Sequence, residues 1–177
     1  MNRLPYLPKA AIRILVWSIF FAPSASLFSQ GTIPQINELL TDYSTKNHQK
    51  AKGVDMRIGY PKGWKAEEGD RPNVVQKFIS PKGYADGSLV LTIGNLPEEA
   101  SDDDIKSLFD GDGPSDILPD GAKQLTRRHT KIEQIDADII TYVIRTERAG
   151  VKVALHSHTL VLVVNRKLVV VNMSGGL

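Results

Sequence analysis

The apolar positions of this chain follow two rhythms, and period two dominates after residue 53. Val54, Met56, Ile58 and Tyr60 alternate with polar or small residues, which predicts a half-buried strand. "NVVQKFIS" predicts a second strand and "SLVLTIGNL" a third, with the turn cluster "PKGYADG" between them. Short, turn-rich links of this kind favour antiparallel pairing. From residue 122 the strand rhythm returns four times: "KQLTRRHTKIEQI", then "DIITYVIRTER" after a turn at Asp136-Ala137, "VKVALHSHTLVLVV" after Ala149-Gly150, and "KLVVVNM" after the polar "NRK". The helical rhythm occurs twice. Thr32 and Gln35 form a weak capping box, and Ile36, Leu39, Leu40 and Tyr43 recur at helical spacing, predicting a helix over about 33–47. Ser101 is a natural N-cap before three aspartates, and Ile105, Leu108 and Phe109 give the second helix, 101–110, its apolar face.

The last two strands set the expected architecture. Val161 and Val163 lie on one face of their strand, Leu160, Leu162 and Val164 on the other, and "LVVVNM" is likewise apolar on both. A strand buried on both faces needs a layer on each side of its sheet. The expectation is therefore an α+β protein: an α/β/α sandwich with a central, mainly antiparallel sheet of about six to seven strands and helices on both faces. Two helices are few for that task, so one more element, a C-terminal helix, is expected beyond Leu177, with a layer supplied by a partner chain as the alternative.

Composition changes this picture at the N-terminus. Residues 1–29 carry Arg3, Lys9 and Arg13 and no acid, followed by the apolar run "ILVWSIFFA" and Pro23. A run of nine residues is too short to span a bilayer, which needs about 20. The stretch predicts a signal peptide, cleaved after Ser26 or Ser29, with an uncleaved anchor as the alternative. Without it, nineteen bases face twenty acids, so the formal charge of +2 belongs to the leader. The expected location is exported, periplasmic or extracellular, with membrane contact only through an uncleaved leader. A domain with no global positive field is a poor partner for nucleic acid. There is no cysteine, hence no disulfide or thiol chemistry.

Candidate chemistry is sparse. In "YPKGW", Pro61 suits position i+1 of a turn and Gly63 position i+3. Tyr60 and Trp64 could form a binding platform, but a structural corner anchored by Trp64 is preferred. Glu67, Glu68 and Asp70 sit in the polar "EEGDRPN" loop, with Arg71 as a surface partner; such a loop suits contact better than acid–base work, which needs shielded carboxyls. "DGDGPSD" resembles a calcium loop but lacks a ligand at its fifth position and the closing Glu. His156 and His158 point the same way on a strand, and with His129 as a third ligand they are weak metal candidates. In "TRRHTK", alternation places Arg127, His129 and Lys131 on one face, read as a solvated stripe because no aromatic is interleaved for base stacking. No phosphate loop, dinucleotide fingerprint or nucleophile elbow occurs.

"YPKGWK", "VVQKFISPKG", "LVLTIGNLP" ahead of the second helix, and "VVNRKLVVVNMSGG" resemble the PsbP-like superfamily, a fold group that also holds the lipoprotein DcrB and the nuclear-import Ran-binding factor. The likeness covers about 32–177. It implies a single domain over 30–177 that would close with a C-terminal helix, and a binding or assembly protein without a shared catalytic centre or cofactor. The expected function is accordingly a non-enzymatic exported domain that binds a protein or envelope component through its loops around 61–72 and 111–121. The alternative is a small metal-binding envelope protein using His156 and His158.

Overall fold

The structure is a computed structural model that describes residues 12–14, 38–83, 86–111, 117–148 and 150–176. The rest of the expected leader with its cleavage sites, the start of the expected first helix, most of the calcium-like loop, Ala149 and Leu177 lie outside the described residues. Ten strands are described: β1 (Ile12–Ile14), β2 (Leu40–Ser44), β3 (Met56–Pro61), β4 (Lys65–Glu68), β5 (Val74–Ile79), β6 (Ser88–Asn95), β7 (Ala122–Ile132), β8 (Ile135–Arg148), β9 (Val151–Val164) and β10 (Lys167–Gly176). One α-helix, α1 (Asp102–Ser107), is found among the described residues, with a short 3-10 turn at Gln49–Ala51.

Seven strands form one antiparallel sheet in the order β4-β5-β6-β10-β9-β8-β7. β10, last in the chain, lies in its middle. β1, β3 and β2 form a second, three-stranded sheet in which β1 runs parallel and β2 antiparallel to β3. The small sheet packs on one face of the large one, here the inner face. Met56 and Ile58 of β3 meet Val75, Phe78, Leu89, Leu91, Ile93, Ile139, Leu160, Leu162, Val169 and Val171 in one buried cluster. Phe78 is clasped by aromatics: Tyr60 stacks on it at 4.1 Å between ring centroids, and Tyr43 meets it edge-on at 5.4 Å.

The outer face is covered differently. Ile105, Leu108 and Phe109, with Ile117 and Leu118, pack on Ile140, Tyr142 and Val161. α1 forms where the sequence places it. The Ser101 side chain accepts from the Asp104 N–H, and the Asp104 carboxylate accepts from the Ser101 N–H at 2.8 Å, closing a capping box.

The α/β/α sandwich is therefore not what forms. The large sheet matches the expected strand number and antiparallel sense, but its inner layer is a second sheet, and its outer layer has a single short helix among the described residues. The helix expected over 33–47 is overturned within its described part, because residues 40–44 are strand β2. "LTDYS" carries strand-favouring Thr41 and Tyr43, and Thr45 locks the pairing. Its hydroxyl donates to the Val54 carbonyl at 2.6 Å and accepts from the Met56 N–H at 2.9 Å, while its own N–H bonds the Met56 carbonyl. Leu39, assigned to the apolar stripe of a helix, is 58% exposed. Tertiary pairing has outweighed local helical periodicity.

Two turns also sit away from their expected places, the first by one residue and the second by three. Trp64 N–H bonds the Pro61 carbonyl at 3.2 Å, so Pro61 is the first residue of its turn and Gly63, at φ 81°, the third. That is the position where a left-handed φ calls for glycine. The β7–β8 turn falls at Glu133-Gln134, both at positive φ (47° and 73°), rather than at Asp136-Ala137. Two left-handed residues give the twist that a two-residue hairpin needs.

Candidate functional site: a cleft under the short helix

The β7–β8 hairpin sets the register of the site. His129 lies opposite Asp138 and Lys131 opposite Asp136, with Arg127 opposite Ile140, so the three basic residues share the outer face. α1 and the residues after it cross above them. The result is a cleft of about 600 Å³ with apolar walls from Ile105, Phe109, Ile135 and Val163, and charged walls from both α1 and the hairpin.

One wall is held by a buried carboxylate. The Asp138 side chain is only 3% exposed and that of Arg127 12%. The Arg127 Nε donates to Asp138 Oδ2 at 2.6 Å, and its terminal nitrogen reaches both Asp138 and the Leu108 carbonyl at the end of α1. The guanidinium thus ties helix to sheet while compensating a charge that would be costly to bury alone. His129 Nδ1 lies 3.2 Å from Asp138 Oδ1, and its Nε2 3.4 Å from Asp136, which also meets Lys131 at 3.3 Å. The imidazole is fixed on both sides.

An Asp-His pair works as a base when the second ring nitrogen faces a substrate or nucleophile. Here that nitrogen faces Asp136, and among the described residues neither serine nor threonine lines the cleft. Reading "TRRHTK" as a solvated stripe is thus corrected at Arg127, which is partly buried against Asp138.

The other expected site residues are not gathered here. Tyr60 belongs to the aromatic clasp around Phe78, and Trp64 is half-buried against the inner core, where a Cβ on Gly87 would come within 2.9 Å of its ring. Glu67 and Glu68 are on edge strand β4 rather than in a loop. Glu67 pairs with Lys65 at 2.8 Å and Glu68 with Lys50 at 2.9 Å, while Asp70 lies 3.7 Å from Lys77. The cations that reach these acids are therefore lysines, with Arg71 acting on Asp70 only through its charge. A hydrogen bond from Lys65 holds the Glu67 carboxyl below its usual range, and one from Lys50 does the same for Glu68. A general acid needs the opposite shift.

The histidines divide between the faces. His158 lies opposite Thr141 and His156 opposite Val143, on the inner side, whereas His129 faces outward opposite Asp138. The three cannot share one ion, and no group of three or more metal-binding side chains occurs among the described residues. His156 and His158 do meet edge-on at 4.8 Å, and Thr141 Oγ1 lies 3.2 Å from His158 Nδ1.

Sequence reasoning missed a partly buried polar ladder on the outer face. Asn172 Nδ2 donates to the Tyr142 hydroxyl at 2.9 Å and to Thr159 Oγ1 at 2.6 Å. Ser174 donates to Asn172 Oδ1 at 2.7 Å and meets Ser157 at 2.8 Å. The signal was present: Ser157 with Thr159, and Asn172 with Ser174, are polar pairs at spacing two inside apolar strands. Asp138 was likewise visible as an acid inside "DIITYV".

No protein-family model matches the chain, and no curated protein matches it. Among solved structures it is similar to cyanobacterial PsbP (CyanoP) from Synechocystis sp. PCC 6803, with a TM-score of 0.49 and 18% identity over 77% of this chain and 79% of that one. It is also similar to PA94, a protein of unknown function from Pseudomonas aeruginosa, with a TM-score of 0.39 and 17% identity over 77% of this chain and 82% of that one. A PsbP protein, of the superfamily that the turn and strand motifs resemble, is thus among the solved structures to which the chain is similar. At such identities the similarity concerns the fold and carries no activity.

Proposed function

We propose that the protein is a non-enzymatic, exported binding domain, and that the cleft between α1 and the β7–β8 hairpin takes a segment of a partner protein. The observation that carries this reading is the cleft itself. Its apolar walls lie beside charged groups, among them His129, held by Asp138 and Asp136, and Lys131, held by Asp136, a combination that suits orientation and selection of a ligand. His129, the imidazole lining it, is engaged with carboxylates on both sides. The partner contact expected around 111–121 is carried here by the chain just before it, 102–110, together with the hairpin.

Site-specific crosslinking in cells tests this. A photo-reactive residue replacing exposed Lys106 should capture one defined envelope protein, and the same group at Glu67 on the opposite edge should not. Capture that is absent at 106, or equal at both positions, would sink the proposal. Fractionation of the same cells tests export: a chain retained wholly in the cytoplasm would overturn that part.

A further inference from the structure

β7 ends the large sheet, and among the described residues nothing pairs with its outer edge. Beyond the bulge at Gln124/Thr126, residues 126–132 form seven regularly paired positions with no proline, glycine or acid. An edge of this length offers unpaired backbone groups to any strand that can reach it.

The side chains decide which strand that is. The stretch carries Arg127, Arg128, His129 and Lys131. A second copy pairing edge to edge would bring these cations against their equivalents, and like charges across a pair of strands are destabilising. The other end of the sheet is not comparable: β4 has four residues, and its acids are already paired with Lys50 and Lys65.

We infer that residues 126–132 accept an extended acidic segment of another protein by strand addition, with carboxylates three residues apart in that segment. The spacing follows from the faces. Arg127 is neutralised by Asp138, which leaves Arg128 on the inner face and Lys131, shared with Asp136, on the outer one. Arg128 and Lys131 are three apart and therefore point to opposite sides of the sheet. A strand laid along β7 meets both only if its acids are also separated by an odd number, and three matches the span. Backbone pairing supplies the affinity and the two carboxylates the choice of partner. This contact is with the sheet edge; it shares Lys131 with the cleft, while Arg128 and the backbone pairing lie outside it.

The test uses the whole protein and the acetylated, amidated peptide TEVTEVT, followed by amide resonances and hydrogen exchange. Binding should shift the amides of residues 126–132 and slow their exchange. TKVTKVT should not bind, and Arg128→Glu should weaken TEVTEVT by about tenfold or more, the scale of one lost charge pair. The amide spectrum of that variant reports its fold directly, and Arg128→Gln should give a smaller loss. The decisive probe is TEVTEVT methylated at every backbone nitrogen, which keeps the charges, removes every backbone N–H donor and obstructs strand pairing. If it binds as well as the parent, or if the parent leaves 126–132 unperturbed, the inference is wrong. Crosslinking at Lys106 answers separately for the cleft.

Discussion

The two faces of the large sheet are made by the same strands and are built to different rules. On the inner face, residues 89, 91 and 93 of β6, 169 and 171 of β10, and 160 and 162 of β9 are all aliphatic, and Phe78 sits between Tyr60 and Tyr43. On the outer face the same strands turn Asn172, Ser174, Ser157 and Thr159 toward one another, and β8 turns Asp138 toward Arg127. Alternation along a strand allows this division: neighbouring residues such as Asp138 and Ile139 serve opposite layers. The inner face holds the domain together. The outer face keeps satisfied polar groups, which pack less profitably than aliphatics but fix positions in a unique way.

The largest effect that would test this contrast is on the inner face. Phe78→Ala should cost about 3–5 kcal/mol, the usual loss for a fully buried aromatic, read as a drop in the urea midpoint at unchanged slope. A loss under about 1 kcal/mol would mean that the aromatic clasp is not central to the core.

Next in size is the buried ion pair. Asp138→Ala leaves Arg127 uncompensated and should cost about 3 kcal/mol in the same measurement. The double variant Arg127→Met, Asp138→Leu should recover most of that loss, since a buried pair is often no better for stability than apolar residues of similar size. Recovery would mark the pair as a device for positioning α1 through the Leu108 carbonyl. If the double variant is as unstable as the single one, the outer face depends on its charges for stability, and the contrast drawn here is too sharp.

The strands of the large sheet were legible because their signal is local. Alternation in "SLVLTIGNL" and the two-sided apolarity of "HTLVLVV" survive into the fold, and so does the Ser101 cap. What misled was a segment whose state is set from a distance. Leu39, Leu40 and Tyr43 fit a helix by spacing, yet β2 forms because Thr45 can bond Val54 and Met56 across a turn. The requirement for two covering layers was sound, but spacing alone does not say whether a layer is a helix or a sheet. The cleft was legible only in pieces. Alternation put Arg127, His129 and Lys131 on one face, but their partners depend on a register that the Glu133-Gln134 turn fixes. Moving that turn changes which acid meets which base.

The smallest effect concerns the far end of the inner face, where the aliphatic rule lapses at His156 and His158. Burial, and then the neighbouring His156, lower the His158 pKa below the ordinary imidazole value of 6.5. The unfolded chain therefore takes up a proton at this residue before the folded protein does. Stability should be full above about pH 6.5, fall as the pH drops through that value, and level off once the folded-state pKa is passed. Because the ring is only half-buried, the loss should be modest. His158→Asn should flatten the pH dependence of the urea midpoint in this window. His156→Ala should reduce the slope without removing it, because burial is the larger cause and remains. If His156→Ala abolishes the slope, repulsion between the rings dominates, and this end of the inner face is more open to water than its packing indicates.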